Sequence, residues 1–183
     1  MKRISLLLSL LVVCFVTAVQ AQAPAPKPAP ELKQLHILLG HWTYTCDYQA
    51  GPLGPASKAT GEYTNQMILG GFFMKGQWME KSASGELGGL EIYRYDPENK
   101  NFAFSGYENE GSTYSGTATV SGNTVTTTGK FFVGGKEYSS KATINYAADG
   151  MSATWKAEIS ADGKTWVPWF DQPMTKVKPA AKK

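Results

Sequence analysis

Cysteine and histidine are nearly absent from this chain of 183 residues, which holds two of each. Cys14 falls in the leading apolar run, so Cys46 stands alone in the remainder and no intramolecular disulfide can form there. Cys46 alternates with Tyr44 and Tyr48, and an unpaired cysteine is most often a small buried apolar side chain. A metal site needs a cluster of His, Cys or carboxylate ligands. His36 and His41, five residues apart with one cysteine elsewhere, do not supply one. A nucleophilic triad needs a base close to its nucleophile, and no Gly-x-Ser-x-Gly elbow occurs. The glycine-rich stretch Gly85-Glu86-Leu87-Gly88-Gly89 does not open a helix, so it is no phosphate loop. Neither a metal nor a cofactor is expected.

Excess positive charge is also missing where it would matter. The chain carries 18 basic and 15 acidic side chains, but residues 31 to 175 hold 11 basic against 15 acidic, a net of −4. Nucleic-acid binders present a basic patch interleaved with aromatics. None is present, and no nucleic-acid partner is expected.

What the chain does have begins with export. Met1-Lys2-Arg3, an apolar run over residues 4 to 16, and Thr17-Ala18-Val19-Gln20-Ala21 form the three-part layout of a secretory signal cleaved after Ala21. The run is shorter than the roughly 20 apolar residues of a membrane span and is interrupted by Ser5 and Ser9. A lipoprotein would carry a small residue where Val13 precedes Cys14. The expectation is a signal peptide over 1–21 and an exported protein, periplasmic or secreted, with no stable membrane anchor after cleavage. The 162 residues that remain suit one domain with a real core.

Residues 22 to 30, Gln-Ala-Pro-Ala-Pro-Lys-Pro-Ala-Pro, alternate proline with small residues and predict a semi-rigid Pro/Ala-rich linker. Pro30 suits a first helical turn. Leu32, Leu35, Leu38 and Leu39 share a face, and Gly40 is the stop, so a short amphipathic helix is predicted over 31–39. From His41 onward the period changes to two. Turn signals at 51–55, 70–71, 84–85, 96–100, 110–111, 122–123, 134–135, 148–150 and 161–163 delimit ten strands. Tyr138, Ser140, Ala142, Ile144 and Tyr146 alternate with a polar set, and Met151, Ala153, Trp155, Ala157 and Ile159 do the same. Strands buried on one face with no helix between them predict an all-β, ten-stranded antiparallel up-and-down barrel over 31–178, with a basic tail at 179–183. Strand counting alone leaves a two-sheet sandwich open.

The predicted interior is aromatic: Trp42, Tyr44, Cys46 and Tyr48 share one face, and Tyr138, Tyr146 and Trp155 lie on the dry faces. These rings either fill the core or line a cavity for one small ligand. Arg94 alternates with Leu90 and Ile92, which on a strict period of two turns it inward as an anion anchor. The alternative is the barrel rim near Asp96, and the rarity of buried arginine favours it. The candidate lining is therefore Trp42, Tyr44, Tyr48, Arg94, Tyr138, Tyr146 and Trp155. Glu62, Glu80 and Glu91 sit within strands and are expected in solvent. Glu108, Asn109 and Glu110 are expected to form a solvated turn.

Leu35-x-x-Leu38-Leu39-Gly40-His41-Trp42 resembles the short helix and Gly-x-Trp opening of the calycin superfamily, the lipocalin-like barrels. Met67-Ile68-Leu69-Gly70-Gly71-Phe72-Phe73, Gly88-Gly89-Leu90 and Tyr93-Arg94-Tyr95-Asp96-Pro97 resemble a bacterial family of uncharacterised lipocalin-like domains, over roughly residues 31 to 178. The resemblance implies a closed or nearly closed barrel, a helix near one end and no established activity. It also implies a basic side chain from the last strand over the first tryptophan, which places Lys176 over Trp42. Some calycins bind haem through a ligand late in the chain. This sequence has only His36 and His41, and haem is not expected.

Three functions fit these readings: a carrier of a small apolar or amphipathic molecule, a filled barrel that recruits another envelope protein, and an enzyme using buried carboxylates or Arg94.

Overall fold

A computed structural model describes residues 25–178. The predicted signal peptide over 1–21, residues 22 to 24 of the predicted linker and the tail at 179–183 lie outside the described residues. Ten strands follow one another: β1 (Gly40–Tyr48), β2 (Ser57–Ile68), β3 (Phe73–Ser82), β4 (Gly85–Asp96), β5 (Asn101–Glu108), β6 (Thr113–Ser121), β7 (Thr124–Val133), β8 (Lys136–Tyr146), β9 (Ser152–Ser160) and β10 (Val167–Lys176). Each pairs antiparallel with the next, and β10 returns to β1, with Trp42 opposite Lys176 and Tyr48 opposite Phe170. The barrel is closed, which rules out the sandwich and leaves no sheet edge unpaired.

Every predicted turn falls between two strands. The tightest show why those residues are there: Gly134 and Gly135 stand at φ +57° and +74°, the left-handed pair of a two-residue hairpin turn.

The helix differs from expectation. It is a 3-10 helix over Pro30–Leu38, and it buries Leu32, Leu35 and Leu38. A spacing of three matches three residues per turn, so these leucines form one ridge where an α-helix would have splayed them. The ridge plugs one end of the barrel, against Trp42, Met74, Phe102, Val125, Ile144, Tyr146 and Met174. Trp42 Nε1 and Asn65 Nδ2 both donate to the Leu38 carbonyl, at 3.0 and 2.9 Å, which satisfies an orphan group of the helix end. Ala29 packs against the same cluster, so the last part of the linker belongs to the fold. Lys176 Nζ lies 5.1 Å from the Trp42 ring centroid, in the place the resemblance implied.

Strand facing agrees with alternation on β1, β8 and β9 and reverses it on β4. There Glu91 and Tyr93 are buried, while Leu90 and Arg94 are exposed. Cys46 is buried, and burial pushes its thiol up to about 12, so it carries no thiolate at neutral pH.

Candidate ligand cavity opposite the helical plug

The half of the barrel away from the helix is hollow. A cavity of about 620 Å³ runs inward from the β1–β2, β3–β4, β5–β6 and β7–β8 connections. Its volume falls in the range of small-molecule sites, about 300–1,000 Å³.

One side of the cavity is aromatic. Phe131 on β7, Trp155 on β9, and Trp169 and Phe170 on β10 line it. Their ring centroids stand 5.4 Å apart for Phe131 and Trp169, 5.1 Å for Trp169 and Phe170, and 5.4 Å for Trp155 and Phe170. Two consecutive residues of one strand line the cavity because the β9–β10 register shifts between Pro168 and Phe170. A bulge re-aims a side chain that strict alternation would send outward.

The other side carries carboxylates among the rings of Trp78, Tyr93 and Phe104. Glu80 on β3, Glu91 on β4 and Glu108 on β5 point inward from three adjacent strands. Tyr48 Oη donates to both Glu80 oxygens at 3.0 Å, and Tyr44 Oη reaches Oε2 at 3.4 Å. Tyr63 donates to Glu91 Oε1, and Tyr114 to Oε2 at 3.2 Å. Glu108 Oε2 is buried without a hydrogen-bond partner, as is Trp155 Nε1.

Glycines make this packing fit. An added Cβ at Gly61 would lie 2.5 Å from the Tyr44 hydroxyl, one at Gly76 2.5 Å from the Tyr63 hydroxyl, and one at Gly106 2.1 Å from the Tyr114 ring. The missing side chains are the slots in which the tyrosines lie while reaching the carboxylates.

Burial raises all three carboxyl groups. Glu91 is pushed up to about 7, with the Tyr114 and Tyr93 hydroxyls pulling it partly back. Glu108 also rises to about 7, through burial and then the nearby Glu110 and Glu80. Glu80 rises through burial, offset by Tyr48 and Tyr44. A charge out of water favours its neutral form unless a counter-charge is close. Among the described residues lining the cavity, the basic side chain is Lys136, and it is exposed.

Of the seven side chains singled out from sequence, the fold brings Tyr44, Tyr48, Tyr138 and Trp155 to the cavity. Trp42 and Tyr146 face inward but at the plugged end, packed edge to face with centroids 5.5 Å apart. Arg94 is not in the lining. It lies outside the barrel, 4.0 Å from Asp96, because the inward phase of β4 belongs to Glu91, Tyr93 and Tyr95. Glu62 is exposed beside His41, at 3.1 Å. Glu80 and Glu91 are 6% and 3% exposed, which reverses the expectation that they are solvated. Their signal was register: Glu80 shares a face with Met74, Gly76 and Trp78, and Glu91 with Tyr93 and Tyr95.

A closed antiparallel barrel, plugged by a short helix at one end and hollow at the other, defines a lipocalin-like protein. The chain belongs to a family within that class, described as "Protein of unknown function (DUF1579)", which residues 27–173 match. No curated protein matches it. Among solved structures, Rv2717c from M. tuberculosis superimposes with a TM-score of 0.62 at 15% identity, over 83% of this chain and 100% of that one. The S-type phycobiliprotein lyase CpeS from Guillardia theta gives 0.53 at 10% identity, over 83% and 99%. At such identities the likeness is one of fold.

Proposed function

We propose that this protein is an exported carrier that holds a small hydrophobic or amphipathic molecule inside the barrel. The observation that carries this reading is the cavity of about 620 Å³, bounded by aromatic rings on one side and hydrogen-bonded carboxylates on the other. Concave sites with apolar walls and a few fixed polar groups are the usual form of small-molecule sites. Packed tyrosines hold those walls in place, so little ordering is needed when a ligand enters. The signal-like leader adds the compartment: the carrier works outside the cytoplasm.

The test is titration of the mature chain with N-phenyl-1-naphthylamine, a neutral apolar fluorophore, beside native mass spectrometry of protein isolated from its own envelope. Saturable one-to-one fluorescence enhancement, lost when Ala142→Trp fills the cavity, is the expected result. A barrel that neither enhances the fluorophore nor retains any small molecule overturns the reading.

A further inference from the structure

We infer that the molecule this cavity selects is an amphipathic organic cation: an amine or quaternary ammonium carried on an apolar, ring-sized body. The inference rests on the carrier reading above and names the charge of its cargo. It stands on the way the two sides of the cavity are set across the barrel. In a closed ring of ten strands, β4 lies five strands from β9 in either direction, and β5 likewise from β10. Glu91 and Glu108 therefore face the strands that carry Trp155, Trp169 and Phe170. A molecule between them meets carboxylates on one flank and the aromatic rings of Trp155, Trp169 and Phe170 on the other.

Both flanks favour the same charge. Ring faces carry a negative quadrupole and attract cations. Buried carboxylates are normally paired with a cation, and these are not. The tyrosine hydroxyls donate one hydrogen each to Glu80 and Glu91 but bring no positive charge. Glu108 Oε2, buried and unpartnered, is an acceptor left free at the cavity wall. Glu110 and Lys136 also line the cavity, and both are exposed. An anionic ligand would meet three inward carboxyl groups and no inward cation among the described residues. A neutral one without a donor would leave Glu108 Oε2 unsatisfied, and a neutral donor would bring no counter-charge.

Three probes with one apolar body separate the cases: 1-naphthylmethylammonium, 1-naphthylmethanol and 1-naphthylacetate, titrated calorimetrically into the mature chain at pH 8. The ammonium is expected to bind at least tenfold more tightly than the alcohol, and the carboxylate not at all. Glu108→Gln, which removes a charge without breaking a hydrogen bond, is expected to bring the ammonium at least threefold closer to the alcohol. Glu91→Gln does the same where it folds, as judged by circular dichroism. If alcohol and carboxylate bind as well as the ammonium, the charge assignment fails and the carrier reading stands. If none of the three binds and N-phenyl-1-naphthylamine does not either, both fall.

Discussion

The Tyr114 hydroxyl stands 3.2 Å from Glu91 Oε2, and its ring lies over Gly106, directly opposite on β5, where a side chain would collide with it. The contact ties β6 to β4 across β5. It also fixes one end of a chain of groups, since Trp78 Nε1 donates to the same hydroxyl at 3.4 Å. The buried carboxylate is thus held by donors whose positions depend on the absence of side chains elsewhere.

Gly106→Ala tests that dependence. The new Cβ would sit 2.1 to 2.5 Å from two ring carbons and the hydroxyl oxygen of Tyr114, so the side chain must move and the Glu91 bond must lengthen or break. Overpacking of this kind costs about 1–3 kcal/mol. A urea-unfolding midpoint equal to that of the parent protein would show that Tyr114 moves freely and that the slot is not structural. Tyr114→Phe separates the two contributions, because it keeps the ring and removes only the hydroxyl.

Stability should fall as pH rises from about 4.5 to 7. Glu91 holds its proton up to about 7 in the fold, against an ordinary 4.5. Within that window the unfolded chain has already released a proton that the native chain keeps, so each step upward favours unfolding. Below the window both states are protonated and the effect vanishes; above it the loss is complete, at about 3 kcal/mol for Glu91. Glu108 adds to the loss with the same sign. Chemical denaturation at pH 4.5, 6 and 8 reads this, and Glu91→Gln should flatten the profile. Asp162 runs the other way: backbone N–H donors from Thr165 and Lys164 lower its carboxyl, so its contribution disappears only at still lower pH.

At the plugged end, Lys176→Met should keep the aliphatic stem and lose the cation over Trp42. The expected loss is about 0.5–2 kcal/mol, seen as a lower urea midpoint, with a change in Trp42 emission. Gly40 shares this arrangement: it stands at φ +117°, and a Cβ there would fall 2.6 Å from Lys176 Cε. Gly40→Ala should therefore cost more than Lys176→Met, since it both strains the backbone and displaces the lysine.

The barrel itself was legible because turn chemistry and alternation are local. Each Gly- or Asp-bearing break had to be a turn, and on β1, β8 and β9 one face is apolar and the other polar. β4 defeated the same rule: Leu90 and Ile92 lie on one phase, Tyr93 and Tyr95 on the other, so composition gives no preference, and choosing the wrong phase inverts every residue of the strand. Strict alternation points Arg94 inward, whereas the rarity of buried arginine favours the position near Asp96 that it takes; Glu91 is expected in solvent for its charge, and the phase of β4 turns it inward. Depth was illegible for a different reason. Alternation tells in from out but not which end of the barrel is filled, and that depends on where the leucine ridge docks; Trp42 and Tyr146 are at the plug and Tyr48 and Tyr138 at the cavity. The doubled aromatic contribution of Trp169 and Phe170 depends on a bulge, which no period of two can show.

Cation binding should release protons near neutrality. Glu91 and Glu108 each hold a proton up to about 7, and Glu80 is raised as well. The groups that face them are acids or hydroxyls: Tyr44, Cys46 and Tyr48 toward Glu80, Tyr63, Tyr93, Tyr114 and Tyr146 toward Glu91, and Glu110 and Glu80 toward Glu108. None of these can supply the positive charge that an ammonium ligand brings. An ammonium seated between the carboxylates and the rings stabilises the ionised carboxylates, so it must displace their protons. By linkage, affinity for 1-naphthylmethylammonium should rise up to tenfold per pH unit for each proton released, over about pH 5.5 to 7, and level off above. Titrations at pH 6.5 in phosphate and in a buffer of large ionisation enthalpy should differ in heat by the protons released. Glu91→Gln and Glu108→Gln should each remove part of that difference, while 1-naphthylmethanol should show no buffer dependence. Equal heats in both buffers for the ammonium, with affinity flat from pH 5.5 to 8, would mean that the ligand does not meet the carboxylates, wherever in the barrel it sits.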